Sequence, residues 1–158
     1  MTISDKTVVT VASGMMLLFL TVAWLETQFF LLHFFEALIY LIIILLFFYF
    51  EDRFGYALAV FVPALWILLQ FFTGRLHAGL RELVRVASFR GVDNPVSLVA
   101  GLILLTGLLL IFLATHALRR EVSGTPYLRS SLLVGACVAV GYYGIVVYWF
   151  SSMFQPMP

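Results

Sequence analysis

Glu26, His33, Glu36 and Tyr40 are the residues of this chain whose types and spacing admit chemistry. Wound as a helix at about 100° per residue, they fall within an arc of roughly 80°. Two carboxyls, an imidazole and a phenol on one face of an apolar stretch (26–50) suit a proton relay, a divalent metal, or ligation of a haem or chlorophyll-like pigment by His33. His33 and Glu36 are three apart and can touch. An ionised Glu36 inside hydrocarbon costs several kcal/mol unless paired, so it must face partners or carry a proton.

The metal and redox readings demand more than this face offers. Zinc needs three or four ligands, and a helical di-iron centre needs carboxylates from several helices. No other expected span holds an internal Asp or Glu. Haem takes one or two His, but His77 and His116 fall at opposite ends of the expected bundle. His116 precedes Arg119 and Arg120, where a cation suits a helix C-terminus. No Gly-rich phosphate loop, HExxH motif or nucleophile elbow occurs. The sequence therefore assigns no catalytic residue and no metal ligand set, and it names no cofactor.

The weight of the site rests on one boundary. If the helix begins near residue 28, Glu36 lies about 12 Å along it, inside the bilayer. If it begins near His33, Glu36 occupies the first turn, where the dipole favours a carboxylate beside headgroups. A second polar stripe follows further on. Pro63, Trp66, Gln70, Thr73, His77 and Arg81 share an arc of roughly 80°. Gln70 is the member placed to hydrogen-bond Glu36 or Tyr40. The candidate intramembrane site is thus Glu26, His33, Glu36, Tyr40 and Gln70, between the second and third spans.

Composition dictates what must position these residues. AVILMFWYC residues make up 63% of 158 and DEKR only 11%, against about 45–50% and 25% in soluble domains. The chain is an all-α, polytopic integral membrane protein. The formal net charge of +1 points to no nucleic-acid partner. Cys137 stands alone, which excludes an intrachain disulfide, and its apolar setting reads as packing. Residues 7–50 as one helix would run about 66 Å, twice the hydrocarbon core, and 26–28 is the polar break. Five spans are expected in one transmembrane domain, 1–158: about 7–25, 28–50, 56–73, 96–118 and 128–150. The first reads as a retained span, since 7–25 is long for a signal-peptide core and no small-x-small site follows.

Between the spans, 51–55 reads as a charged turn and 123–126 as a short turn, with 151–158 an uncharged tail. Residues 75–94 form an amphipathic segment, either an extension of the third span or a helix lying in the interface. Its Arg75, Arg81, Arg85 and Arg90 suit lipid headgroups. Asp93-Asn94-Pro95 is an N-cap signal. Pro63 removes a helix hydrogen bond in mid-span. Tyr49, Phe54, Tyr142, Tyr143, Tyr148 and Trp149 near span ends read as aromatic belts.

In the last span, Ser131, Gly135 and Ala139 form one small face and Gly141 and Gly144 another, a pattern that lets helices approach closely. Lys6, Arg53, Arg119, Arg120 and Arg129 fall on one side and the remaining four Arg on the other. With Lys6 at the start, this leans towards a cytoplasmic N-terminus. With no loop large enough for a catalytic domain, the leading expectation is a non-enzymatic protein acting by association. It would be an accessory or scaffold subunit, or a homo-oligomer, partnered by the bilayer and by a membrane protein or a second copy. The alternatives are a proton, small-molecule or redox-cofactor site between the second and third spans, or a small dimeric transporter.

Overall fold

The computed structural model describes residues 3–50, 52–121 and 128–151. Six α-helices and one 3₁₀ turn account for nearly all of these residues: α1 Ile3–Leu25, the 3₁₀ turn Thr27–Phe29, α2 Phe30–Tyr49, α3 Asp52–Phe72, α4 Leu76–Ala87, α5 Pro95–Glu121 and α6 Leu128–Trp149. All but α4 are long and apolar enough to cross a membrane. Their outward faces carry Leu17, Ile42, Leu105, Phe112 and Ile145 at high exposure. Water would penalise such a surface, whereas lipid tails accept it.

α1 packs through Val8, Ala12, Met15, Phe19 and Val22, all nearly inaccessible. The alternating steps of four and three make a continuous stripe down one side of a helix. That stripe meets α2 and α5. α3 is the hub, touching α1, α2, α5 and α6. Pro63 is fully buried within it, and α3 runs through the proline to Phe72. α5 comes close there because Gly107 presents no side chain to Pro63 and Met15. α6 lies along α3 through Gly135, where a Cβ would stand 2.7 Å from that of Ala57. Of the residues read as small-residue faces, Ser131, Gly135 and Ala139 are buried inside the chain, while Gly141 and Gly144 point outward with open space beside them.

Several boundaries differ from the sequence-based expectation. α1 begins at Ile3 rather than Thr7, since Asp5 in its first turn is fully buried and accepts the Tyr56 hydroxyl of α3. α3 begins at Asp52, so most of the expected charged turn is helical. Gly55 permits this: Phe47 of α2 packs on its backbone and stacks edge-on with Tyr56 at 4.9 Å. Glu51, the 123–126 turn and all but Ser151 of the tail lie outside the described residues.

The amphipathic segment is a separate helix, α4, not a continuation of α3. Gly74, at φ +71°, breaks the run, a conformation that costs glycine little. α4 crosses the start of α5 at Gly79 and Gly101, where a Cβ on Gly101 would lie 2.7 Å from the Gly79 carbonyl. Asn94 caps α5, accepting from the Ser97 amide at 3.1 Å, with Pro95 first in the helix. Cys137 is exposed on the outer side of α6, not packed inside as its apolar surroundings imply.

Candidate functional site

The ends of α1 and α3, the starts of α2 and α5, and α4 converge on one end of the bundle, as the lining of a single cavity there shows. The chain leaves α1 at Leu25, and Glu26 adopts a non-helical conformation before the 3₁₀ turn brings it into α2. That turn keeps Glu26 over the face that His33 and Glu36 occupy one and two turns further on. His33 then stands between the two acids. Its Nδ1 is 2.7 Å from Glu36 Oε2 and its Nε2 is 3.0 Å from Glu26 Oε2. Glu26 is about a quarter exposed at its side chain, against 11% for Glu36.

α2 thus begins near the deeper of the two expected boundaries, and Glu36 sits in its second turn facing the bundle interior. The carboxylate's cost of burial is offset by the imidazole.

Proton counting follows from this geometry. A neutral imidazole has one N–H and one lone pair. With a carboxylate at each nitrogen, one contact would set a lone pair against an anion. The arrangement is satisfied when the trio holds one further proton, either on the ring or on one carboxyl. These forms differ only in where the proton sits. The imidazole can therefore accept a proton at Nε2 from Glu26 while Nδ1 gives one to Glu36. The two acids bind opposite edges of the ring and do not converge on one point. Accordingly, no group of three or more His, Cys, Asp or Glu among the described residues is arranged to hold a metal ion.

Two cavities flank the trio. The first, about 270 Å³, runs between α1, α3, α4 and α5 past Phe19 and Trp66. The second, about 570 Å³, lies between α2, α3 and α6 and reaches Tyr143, Val146 and Val147. His33, Glu36, Gln70 and Arg75 line both. Gln70 shares these walls but makes no hydrogen bond to Glu36 or Tyr40, contrary to the partnership its position implied. One turn deeper than Glu36, Tyr40 is fully buried against Phe19, with ring centroids 5.5 Å apart. The indole N–H of Trp66 has no hydrogen-bond partner among the described residues, and the buried hydroxyls of Tyr40 and Tyr143 lie next to each other. Beyond Tyr40, the inward residues Ile43, Phe47, Met15 and Val62 are apolar.

The remaining histidines stay apart: His77 is exposed on α4 and His116 is exposed near the end of α5. Tyr142 and Tyr143 are the contributors that sequence reasoning missed by assigning them to an aromatic belt. Tyr142 donates to the Phe35 carbonyl of α2, and Tyr143 is buried on the cavity wall, whereas Tyr49, Tyr148 and Trp149 do face outward. The signal was present, because Ser131, Gly135, Ala139 and Tyr143 recur every four residues on one face.

Fold and site together define a helical multi-pass membrane protein with a carboxylate–imidazole–carboxylate trio near one end of its bundle, its His33 and Glu36 buried and its Glu26 half-buried. No family model, curated protein or solved structure matches this chain.

Proposed function

We propose that this protein handles protons within the bilayer, the Glu26–His33–Glu36 trio exchanging them between one membrane face and the cavity bounded by α2, α3 and α6. The observation that carries this reading is the single imidazole held by a carboxyl at each ring nitrogen. The outer acid is the more accessible and the inner acid adjoins both cavities. Lys6 at the N-terminal end, with no Lys or Arg in the first loop or the C-terminal segment, favours a cytoplasmic N-terminus, which would open the trio on the opposite face. The test is infrared difference spectroscopy of the reconstituted protein across a pH titration. A carboxyl C=O band that titrates, and that disappears in both Glu36→Gln and His33→Gln, is expected. A band unchanged in both variants sinks the reading.

A second reading, self-association or docking of a membrane partner, is favoured by the outer face of α6. Gly141 and Gly144 leave open space there, beside exposed Cys137. Oxidative crosslinking at Cys137 in native membranes should give a discrete larger species. Its absence, with a monomer in solution, removes this reading.

A further inference from the structure

α4 presents three different sides. Gly79, Glu82 and Leu83 turn towards α5 and the loop before it. Leu80 and Val84 are exposed, the latter by 65%. His77, Arg81 and Arg85 follow one another at helical spacing along the third side. Glu82 fixes the arrangement, accepting the backbone N–H of Asp93 at 2.6 Å and of Asn94 at 3.2 Å. Pinned in this way, the loop bends back along α4. Phe89 takes a left-handed conformation at φ 56° and is 99% exposed. Arg90 returns over α4, its amide bonded to the Arg85 carbonyl.

The result is a surface groove of about 650 Å³ lined by His77, Leu80, Arg81, Val84, Arg85 and Arg90. Arg75, grouped with these arginines by sequence, is absent from the groove and lines the two cavities beside His33. Asp93 pairs with Arg85, and the Arg85 Nε–H is enclosed without a partner. Glu82 spends its carboxylate on the loop. Arg81 and Arg90 are exposed with no ion pair among the described residues. Positive charge therefore remains in excess in the groove.

We propose that this groove binds the headgroup of an anionic phospholipid, with the acyl chains lying along Leu80, Val84 and Phe89. A phosphodiester matches the forked donors of arginine. The exposed apolar residues beside those donors select a lipid over a water-soluble phosphate. The site is independent of proton exchange at the trio.

The test is native mass spectrometry of the full chain, purified with an equimolar mixture of phosphatidylglycerol and phosphatidylcholine. Retention of phosphatidylglycerol about five-fold over phosphatidylcholine is expected. The double variant Arg81→Gln/Arg90→Gln should bring the ratio close to one. Arg119→Gln/Arg120→Gln, an equal charge change at the other end of the bundle, should leave it unaltered. Equal retention of both lipids by the unaltered chain overturns the proposal, as does an equal loss in the two double variants. Displacement of the lipid by millimolar glycerol 3-phosphate alone would overturn the assignment to a lipid. Unchanged circular dichroism melts confirm that each variant is folded.

Discussion

Glu82 and Glu36 are both buried acids at the same end of the molecule, 4% and 8% exposed, yet they are satisfied in different ways. Glu82 accepts two backbone amides, groups that neither take up nor release a proton near neutral pH. Those amides, those of Asp93 and Asn94, hold its carboxyl below the ordinary value of 4.5. Glu36 accepts from an imidazole, a group with a second ring nitrogen through which a proton can pass, and a second acid stands on the far side of the ring. Burial alone therefore does not distinguish a structural acid from one that can exchange protons. The distinction lies in whether the partner can hand a proton on to another group. Glu82 is a clamp that holds a loop to a helix, whereas Glu36 is the inner end of the proton path proposed above.

The largest effect should come from breaking the path while sparing the clamp. In Glu36→Gln the amide cannot receive the Nδ1 proton, and relay through His33 stops. Proton exchange between Glu26 and the inner cavity should fall by on the order of 100-fold, read as loss of the titrating carboxyl band. Glu82→Gln should leave that band in place. If Glu82→Gln abolishes it and Glu36→Gln does not, the roles assigned to the two acids are reversed.

Two glycine contacts give the next effect, one on the helix that carries Glu82 and one on the helix that carries Tyr142 and Tyr143. A Cβ on Gly101 would stand 2.6 Å from Leu83 Cγ and 2.7 Å from the Gly79 carbonyl, forcing α4 away from α5. A Cβ on Gly135 would press on Ala57 and shift α6, which carries Tyr142 and Tyr143. Gly101→Ala and Gly135→Ala should each cost about 1–3 kcal/mol, the usual range for overpacking, measured by denaturation in mixed micelles. The comparison sharpens in the side effects. Gly101→Ala should expose the Asp93 and Asn94 amides to hydrogen exchange and leave the titrating band unaltered, while Gly135→Ala should shift the band and leave those amides protected.

His33 and Glu36 were legible in the sequence because a spacing of three keeps residues on one side of a helix, and Glu26 because an acid is conspicuous in an apolar run. That the 3₁₀ turn carries Glu26 back over His33 was not legible. The five spans were legible because length and composition alone dictate them. Glu82 was not legible as a clamp. It lies among arginines on an amphipathic helix and reads as one more solvated charge. Only the return of the 88–94 loop, fixed by Gly91 at φ +79° and Phe89 at φ 56°, brings two amides to it. Arg75 was misgrouped because the break at Gly74 redirects α4 and leaves this residue over the cavities. Tyr143 was hidden by composition, since tyrosine near a span end suits an interface as well as a core.

The clamp makes a pH prediction of its own. A carboxyl whose folded value is depressed contributes stability above the unfolded value, and that contribution is lost as pH falls through the folded one. Protection of the Asp93 and Asn94 amides, corrected for intrinsic exchange, should be full above about pH 4.5. It should decline below that, by up to about tenfold. In Glu82→Gln the pH dependence should vanish. A decline that sets in well above 4.5 would implicate a different group and break the contrast with Glu36.

The smallest effect belongs to the outer face of α6, which separates a helix packed within one chain from one packed between chains. Gly141 and Gly144 have no neighbouring atom within 4 Å of where a Cβ would be. Within one chain, Gly141→Ala should meet no obstruction and gain only helix propensity, between zero and about 1 kcal/mol. The same helix supplies its own contrast in Gly135→Ala, where the buried side has no room. If the outer face packs against a second copy or a membrane partner, the sign reverses: the added methyl would obstruct the close approach and weaken assembly. Paired measurements of thermal stability and of Cys137 crosslinking yield therefore decide what α6 faces. Raised or unchanged stability with no crosslink assigns the face to lipid, whereas a crosslink that Gly141→Ala diminishes assigns it to protein.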